Sequence, residues 1–172
     1  MYYSAIKDCD VANGTGVRVT LFVSGCTNHC KNCFQPETWD FCNGEEFTEE
    51  VEENIIQMLS KSYIEGLTLL GGEPMEPRNQ VDILPFLYKV RERLPEKDIW
   101  LFSGFTYEQL LDEGSYCHVA ETEEILNLVD VLVDGRYVDE LRNLALKFRG
   151  SENQRIIDVK ATKETGMIVK ID

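Results

Sequence analysis

Residues 26–33 read Cys-Thr-Asn-His-Cys-Lys-Asn-Cys, placing Cys26, Cys30 and Cys33 within one eight-residue stretch. The stretch directly follows Val17-Arg18-Val19-Thr20-Leu21-Phe22-Val23, a β-branched run that stops at Ser24-Gly25 and reads as a strand. A loop this short curls back on itself, so its thiolates can converge on one inorganic centre. Three is one fewer than the four thiolates that usually close an iron–sulfur cluster or a structural zinc site. A missing ligand leaves a reactive position, as the open fourth position does in catalytic zinc sites. The chain must therefore fold so that the end of this strand opens onto a space that something else can enter.

The order of elements meets that need. Thr48 caps a helix with Glu49 and Glu50 in its first turn, and Val51, Ile55, Met58 and Leu59 form its buried face to about residue 62. Gly66–Leu70 is a short strand, and 79–93 reads as a helix kinked or divided by Pro85. A strand at Asp98–Phe102 leads to a short helix over 107–112, capped by Thr106. A helix at 121–128 and a strand at Asp130–Val133 follow, and 138–147 reads as helical. Ile156–Val159 and Met167–Ile171 read as terminal strands, whereas Asp10–Gly16 reads as a turn or loop around Asn13-Gly14. Alternating strands and helices predict an α/β fold with a parallel sheet, in which chemistry gathers at the carboxyl ends of the strands. No linker or low-complexity segment divides the chain, so residues 1–172 read as one domain.

Charge narrows the partners. Thirty-one Asp and Glu stand against 17 Lys and Arg, a formal net charge of −14, and such a surface repels phosphate backbones. Nucleic acid is therefore not an expected partner. No run approaches 18 apolar residues, so no membrane span is expected. The first residues show no apolar signal core with a cleavage site, which points to the cytoplasm. In that reducing compartment, clustered cysteines indicate metal or redox chemistry rather than disulfides.

A second motif follows one βα unit later. Gly71-Gly72-Glu73-Pro74 ends the second strand. It is either a strand-ending turn or a place where residues without Cβ let a ligand approach the backbone beside a carboxylate that can hold an ammonium. In a parallel sheet it faces the same crevice as the cysteines. Cys9, Cys42 and Cys117 are scattered singly and read as small hydrophobes. A zinc knuckle completed by His29 or Cys42 is the competing account, although His29 sits inside the x3 spacer on a short tether.

Cys26-x3-Cys30-x2-Cys33 followed by Gly71-Gly72-Glu73-Pro74 resembles the radical S-adenosylmethionine superfamily. Within it the chain resembles the activating proteins of anaerobic (class III) ribonucleoside-triphosphate reductase. That likeness rests on Asn13-Gly14-x-Gly16-Val17-Arg18, Phe22-Val23-Ser24-Gly25-Cys26, Cys33-Phe34-Gln35-Pro36-Glu37-Thr38-Trp39, Asp134-Gly135-Arg136-Tyr137 and Arg149-Gly150-Ser151-x-Asn153-Gln154-Arg155.

The resemblance implies a partial (β/α) barrel, a mostly parallel curved sheet with helices outside. It implies that Cys26, Cys30 and Cys33 hold three irons of a [4Fe-4S] cluster while S-adenosyl-L-methionine completes the fourth. Gly71, Gly72 and Glu73 would then hold the methionine amino end, with Ser103 as a further contact. Many members carry an aromatic residue just before the third cysteine; here that position is Asn32 and Phe34 follows, so Asn32 to Phe34 are expected to flank the nucleoside.

The implied reaction is reductive cleavage to a 5′-deoxyadenosyl radical, which generates a glycyl radical on the large subunit of the anaerobic reductase. An electron donor such as a flavodoxin supplies the electron. No side chain is expected to act as a general acid or base. The alternatives are an activase of the pyruvate formate-lyase type, a small-molecule enzyme of the same superfamily, or a zinc-binding interaction module.

Overall fold

The structure, a computed structural model, describes residues 1–171. It is an α/β arrangement with one open seven-stranded mixed sheet in the order β3-β1-β2-β4-β5-β6-β7 and five α-helices. The four central strands, β2 (Arg18–Val23), β4 (Gly66–Gly71), β5 (Asp98–Ser103) and β6 (Val131–Asp134), are parallel neighbours. β1 (Tyr2–Asp10), β3 (Glu45–Glu46) and β7 (Arg155–Asp158) are antiparallel additions at the two sides. Parallel character is thus confined to the centre. The parallel strands end together: Val23 pairs with Gly71 and Ser103 with Asp134, so the loops that follow share one edge of the sheet.

Strand alternation sorts the side chains. Val19, Leu21, Leu67, Leu69, Ile99 and Leu101 point to one face and pack with α1 (Glu49–Leu59), α2 (Pro77–Arg93), α3 (Tyr107–Leu111) and α4 (Thr122–Leu128) in one continuous core. Each of these six is fully buried, which stabilises the fold by about 1.5–3 kcal/mol per side chain. The helices start where capping predicts. Thr48 accepts the Val51 N–H at 3.4 Å, and Thr106 forms a capping box with Gln109.

Among the described residues no α-helix belongs to the apolar cluster on the opposite face. Its β5–β7 half is a small apolar cluster of Trp100, Val131, Val133 and Ile156, covered by Phe148. Its β2–β4 half is polar at Arg18, Thr20 and Thr68 and apolar at Phe22 and Leu70, nearer the strand ends. Arg18, fully buried, donates to Thr68 Oγ1 at 2.7 Å and the Leu67 carbonyl at 2.9 Å, and pairs with Asp98. Its guanidinium lies 5.5 Å from the Trp100 ring. The 11–16 loop plugs this half: Asp10 accepts from Asn13 Nδ2 and Thr20 Oγ1, both at 2.7 Å, and Thr68 Oγ1 donates to the Asn13 carbonyl at 2.8 Å.

Residues 2–10, to which the sequence pattern assigned no element, form edge strand β1, whose half-exposed residues and two register irregularities obscure its alternation. Three expectations are corrected. Of the two outcomes expected at Pro85, division does not occur: α2 runs continuously through it, and the Val81 carbonyl four residues earlier belongs to an exposed residue that water reaches. Residues 138–147 are not a helix but a 3₁₀ turn (Asp139–Leu141) running into a hairpin; Leu141 and Leu144 are exposed, so a helix there would have had no apolar face to bury. Residues 167–171 make only a single bridge from Lys170 to Ile157, and the unexpected helix α5 (Val159–Thr165) precedes them, capped by Asp158 and stopped by Gly166 at φ 71°.

Candidate functional site

The loops after β2, β4, β5 and β6 enclose a cavity of about 640 Å³. Cys26, Cys30, Cys33, Phe34, Gly71, Gly72, Glu73 and Ser103 all line it, so eight of the nine expected site residues meet in one place. The exception is Asn32, whose exposed side chain donates to Asp139 at 2.9 Å and whose backbone is left-handed at φ 57°. Asparagine tolerates that conformation better than a bulky aromatic residue does.

The cysteine loop is held from both ends. Gly25 sits at φ 97°, and a Cβ there would meet the Phe41 ring at 2.3 Å, so only glycine fits. Gly25 N–H donates to the Thr38 carbonyl at 2.7 Å and Cys26 N–H to the Trp39 carbonyl at 3.4 Å, while Cys33 N–H closes a turn onto the Cys30 carbonyl at 3.1 Å. His29 stacks on Trp39 with ring centroids 4.4 Å apart and, like the exposed Cys42, is not among the cavity-lining residues.

Gly72 serves a purpose the sequence did not suggest. Its missing Cβ makes room for the Gly25 carbonyl, 2.7 Å from where that atom would stand. The two motifs interlock here, with Gly72 N–H on the Val23 carbonyl at 2.7 Å and Glu73 N–H on the Gly25 carbonyl at 2.8 Å.

Glu73 is 1% exposed and ties three strand ends together. Its carboxylate accepts from Met75 N–H at 2.9 Å, Ser103 Oγ at 2.8 Å, Gly104 N–H at 2.6 Å and Asn28 Nδ2 at 3.0 Å. Burial still pushes its carboxyl up to about 7. Asn28 Oδ1 in turn accepts from Arg136 at 2.9 Å. Glu76, fully buried, accepts from Thr27 N–H and Oγ1 at 2.7 and 2.6 Å and from the Tyr116 hydroxyl at 2.8 Å. Sequence reading gave no role to Asn28 or Glu76, and Arg136 entered it only within the Asp134–Tyr137 stretch. The carboxylate three residues after Glu73 was the available signal, but its partners lie 40 and 49 residues away.

Burial raises the Cys26 thiol to about 12, with Glu73 adding to the rise; burial also raises Cys30, against the pull of Arg136. Such thiols stay protonated at neutral pH until a metal displaces the proton. Among the described residues no group of three or more His, Cys, Asp or Glu is arranged around a single ion. The three thiols instead share a roomy cavity with apolar walls from Phe22, Leu70, Phe102 and Val133, a size and lining suited to a cofactor with an organic partner. The residues present fit a thiolate-bound cluster.

The sequence agrees with that class. Residues 12–157 match the model of a 4Fe-4S single cluster domain, so the chain is an iron–sulfur protein of that class. Three relatives extend the match, each bearing the name anaerobic ribonucleoside-triphosphate reductase-activating protein. The phage T4 protein is 42% identical over 91% of this chain and 93% of its own length. The Pasteurella multocida protein is 41% identical over 91% and 96%. The Escherichia coli K12 protein is 38% identical over 90% and 96%. The chain belongs to the family of anaerobic ribonucleoside-triphosphate reductase-activating proteins.

Proposed function

We propose that this single domain, residues 1–172, is the activase of an anaerobic ribonucleoside-triphosphate reductase, using a [4Fe-4S] cluster and S-adenosyl-L-methionine in the cavity above β2, β4, β5 and β6. The observation that carries the reading is the meeting of the three thiols with the Gly71–Glu73 edge at one set of strand ends. Cys26, Cys30 and Cys33 would hold the cluster, each losing its proton on ligation. Bound there, the cluster would supply one-electron reductive cleavage of the cosubstrate, and with it the means of hydrogen abstraction from a glycine of the reductase large subunit.

The chain's own residues bind and orient. Gly71 and Gly72 present backbone at the cavity wall, and Glu73 places a carboxylate beside it for the methionine amino group. Ser103 holds that carboxylate in position from the next strand. Phe34, 5.8 Å from Tyr137, offers a ring to the nucleoside, and Asn32 holds the turn that presents it. The apolar walls keep water from the reacting atoms.

The reading extends to a curved, partial-barrel sheet, a flavodoxin-type electron donor and a cytoplasmic setting. Among the described residues no helix is long and apolar enough to cross a membrane. Anaerobic reconstitution should yield about four irons per chain with broad visible absorbance. Mixing the reduced protein with S-adenosylmethionine and the reductase should give the electron-spin-resonance doublet of a glycyl radical. One colourless zinc per chain, or no doublet, sinks the proposal.

A further inference from the structure

The segment leaving β6 is built in two parts with opposite character. Its base is stapled. Gln154 Oε1 accepts from the N–H groups of Gly150 at 2.8 Å and Ser151 at 3.1 Å, while its Nε2 donates to the Gly135 carbonyl at 3.0 Å. Asn153 Nδ2 donates to the Arg136 carbonyl at 2.8 Å, and Ser151 Oγ accepts from Val138 N–H at 3.1 Å. Phe148, left-handed at φ 59°, inserts its ring edge-on to Trp100 at 5.5 Å. These contacts hold a hairpin, with Arg142 bridged to Ser151 and Asn143 N–H on the Gly150 carbonyl at 3.2 Å.

The tip is the reverse. Leu144 is 84% exposed, and Arg142, Ala145 and Lys147 are exposed around it. Phe34, from the cysteine loop, is 73% exposed. Leu144 and Phe34 are the two most exposed large apolar side chains among the described residues, and both line the cavity that holds the three thiols. Charge is also inverted here. The tip itself, residues 142–147, carries Arg142 and Lys147 and no Asp or Glu, a net +2 within a chain of −14.

We infer that the hairpin tip 142–147, with Phe34, is the docking surface for the protein substrate. Its occupant is an extended, glycine-bearing segment with apolar side chains beside the glycine and carboxylates on its flanks. The inference rests on the function proposed above. A hydrogen is abstracted only within contact distance, so the substrate backbone must enter the cavity and its flanks must lie across the rim. The rim offers apolar anchors that a partner would cover. It also offers positive charge on a protein whose remaining surface repels carboxylates, which steers an acidic partner to this entrance.

The test compares the reconstituted wild-type protein with Leu144→Asp and Lys147→Glu, against the anaerobic reductase of the same source. Affinity is measured by anaerobic calorimetry at two salt concentrations. Leu144→Asp should weaken binding at least about tenfold. Lys147→Glu should weaken it about threefold and reduce its salt dependence. Iron content should stay at the wild-type level in both variants, and reductase-free cleavage of S-adenosylmethionine should stay there in Lys147→Glu, whose exposed side chain does not line the cavity. Glycyl radical yield at sub-saturating reductase should fall with affinity. Unchanged affinity in both variants overturns the inference, as does a Leu144→Asp that only abolishes self-association. A wild-type protein that binds the reductase but leaves no glycyl radical overturns the function and not the docking surface.

Discussion

The two faces of the central strands use the same residues of backbone for opposite ends. On the helix side, Val19, Leu21, Leu67 and Leu69 belong to one continuous apolar core. On the other side, Arg18, Thr20 and Thr68 are just as buried, yet they are held by hydrogen bonds and an ion pair, to Asp10, Asp98 and one another and to the Thr15 and Asn13 carbonyls of the 11–16 loop. The apolar face makes the domain stable. The loop-covered face gives up helix packing to keep a cavity open at the strand ends, and buried polar groups substitute for the missing layer by tying loops down. Such groups are costly to leave unpaired, so the two faces should fail in different ways.

The sharpest contrast lies at the cavity. Cys30→Ala should leave the fold intact by circular dichroism, since Cys30 is only half-buried, while bound iron and cosubstrate cleavage are lost. A variant that keeps about four irons and cleaves S-adenosylmethionine would refute the ligand assignment. Beneath the cavity, Arg18→Ala should cost about 3–5 kcal/mol in chemical denaturation, because Asp98 and the Leu67 carbonyl lose a buried partner.

On the helix face, Leu69→Ala should cost about 2–5 kcal/mol by leaving a cavity, with iron content per folded chain unchanged. If Leu69→Ala depleted iron as Cys30→Ala does, the division of labour between faces would be wrong.

The smallest effect belongs to the rim. Arg155 donates to Glu108 at 3.0 and 2.6 Å, and this bond holds the Glu108 carboxyl below its ordinary value. A folded-state value below the unfolded one adds stability above the unfolded pKa, and that stability is lost as pH falls through the folded one. Glu108→Gln should therefore cost less than about 1 kcal/mol at pH 7, for a pair this exposed. The difference from wild type should vanish in acid, below the range where carboxylates usually titrate. A difference that persists there would mean packing, not charge, is involved.

Much of this was legible in the chain. The Thr48 and Thr106 caps, the apolar face of α1 and the four central strands rest on signals contained within about ten residues. The cysteine triplet and Gly71–Glu73 were legible because strand ends in a βα repeat share one edge. The Asp158 cap and Gly166 stop of α5 were equally local and were overlooked. The edge strand β1 was hidden because its half-exposed residues do not alternate cleanly.

Local chemistry, then, determined the α/β class, the helix ends and the identity of the three thiols with their neighbouring glycines. Only the tertiary structure decided what the polar residues between them do. Glu73 proved to be a junction of three loops because its donors come from positions 28, 75, 103 and 104, which no local pattern brings together. Asn32 proved to clasp Asp139 across 107 residues. Residues 138–147 became a hairpin instead of a helix because Phe148 found Trp100 and Gln154 found Gly135, while Leu141 and Leu144 found nothing to bury against. Secondary structure follows periodicity where a partner surface exists for it. Where none exists, the chain goes where its long-range hydrogen bonds and anchors take it.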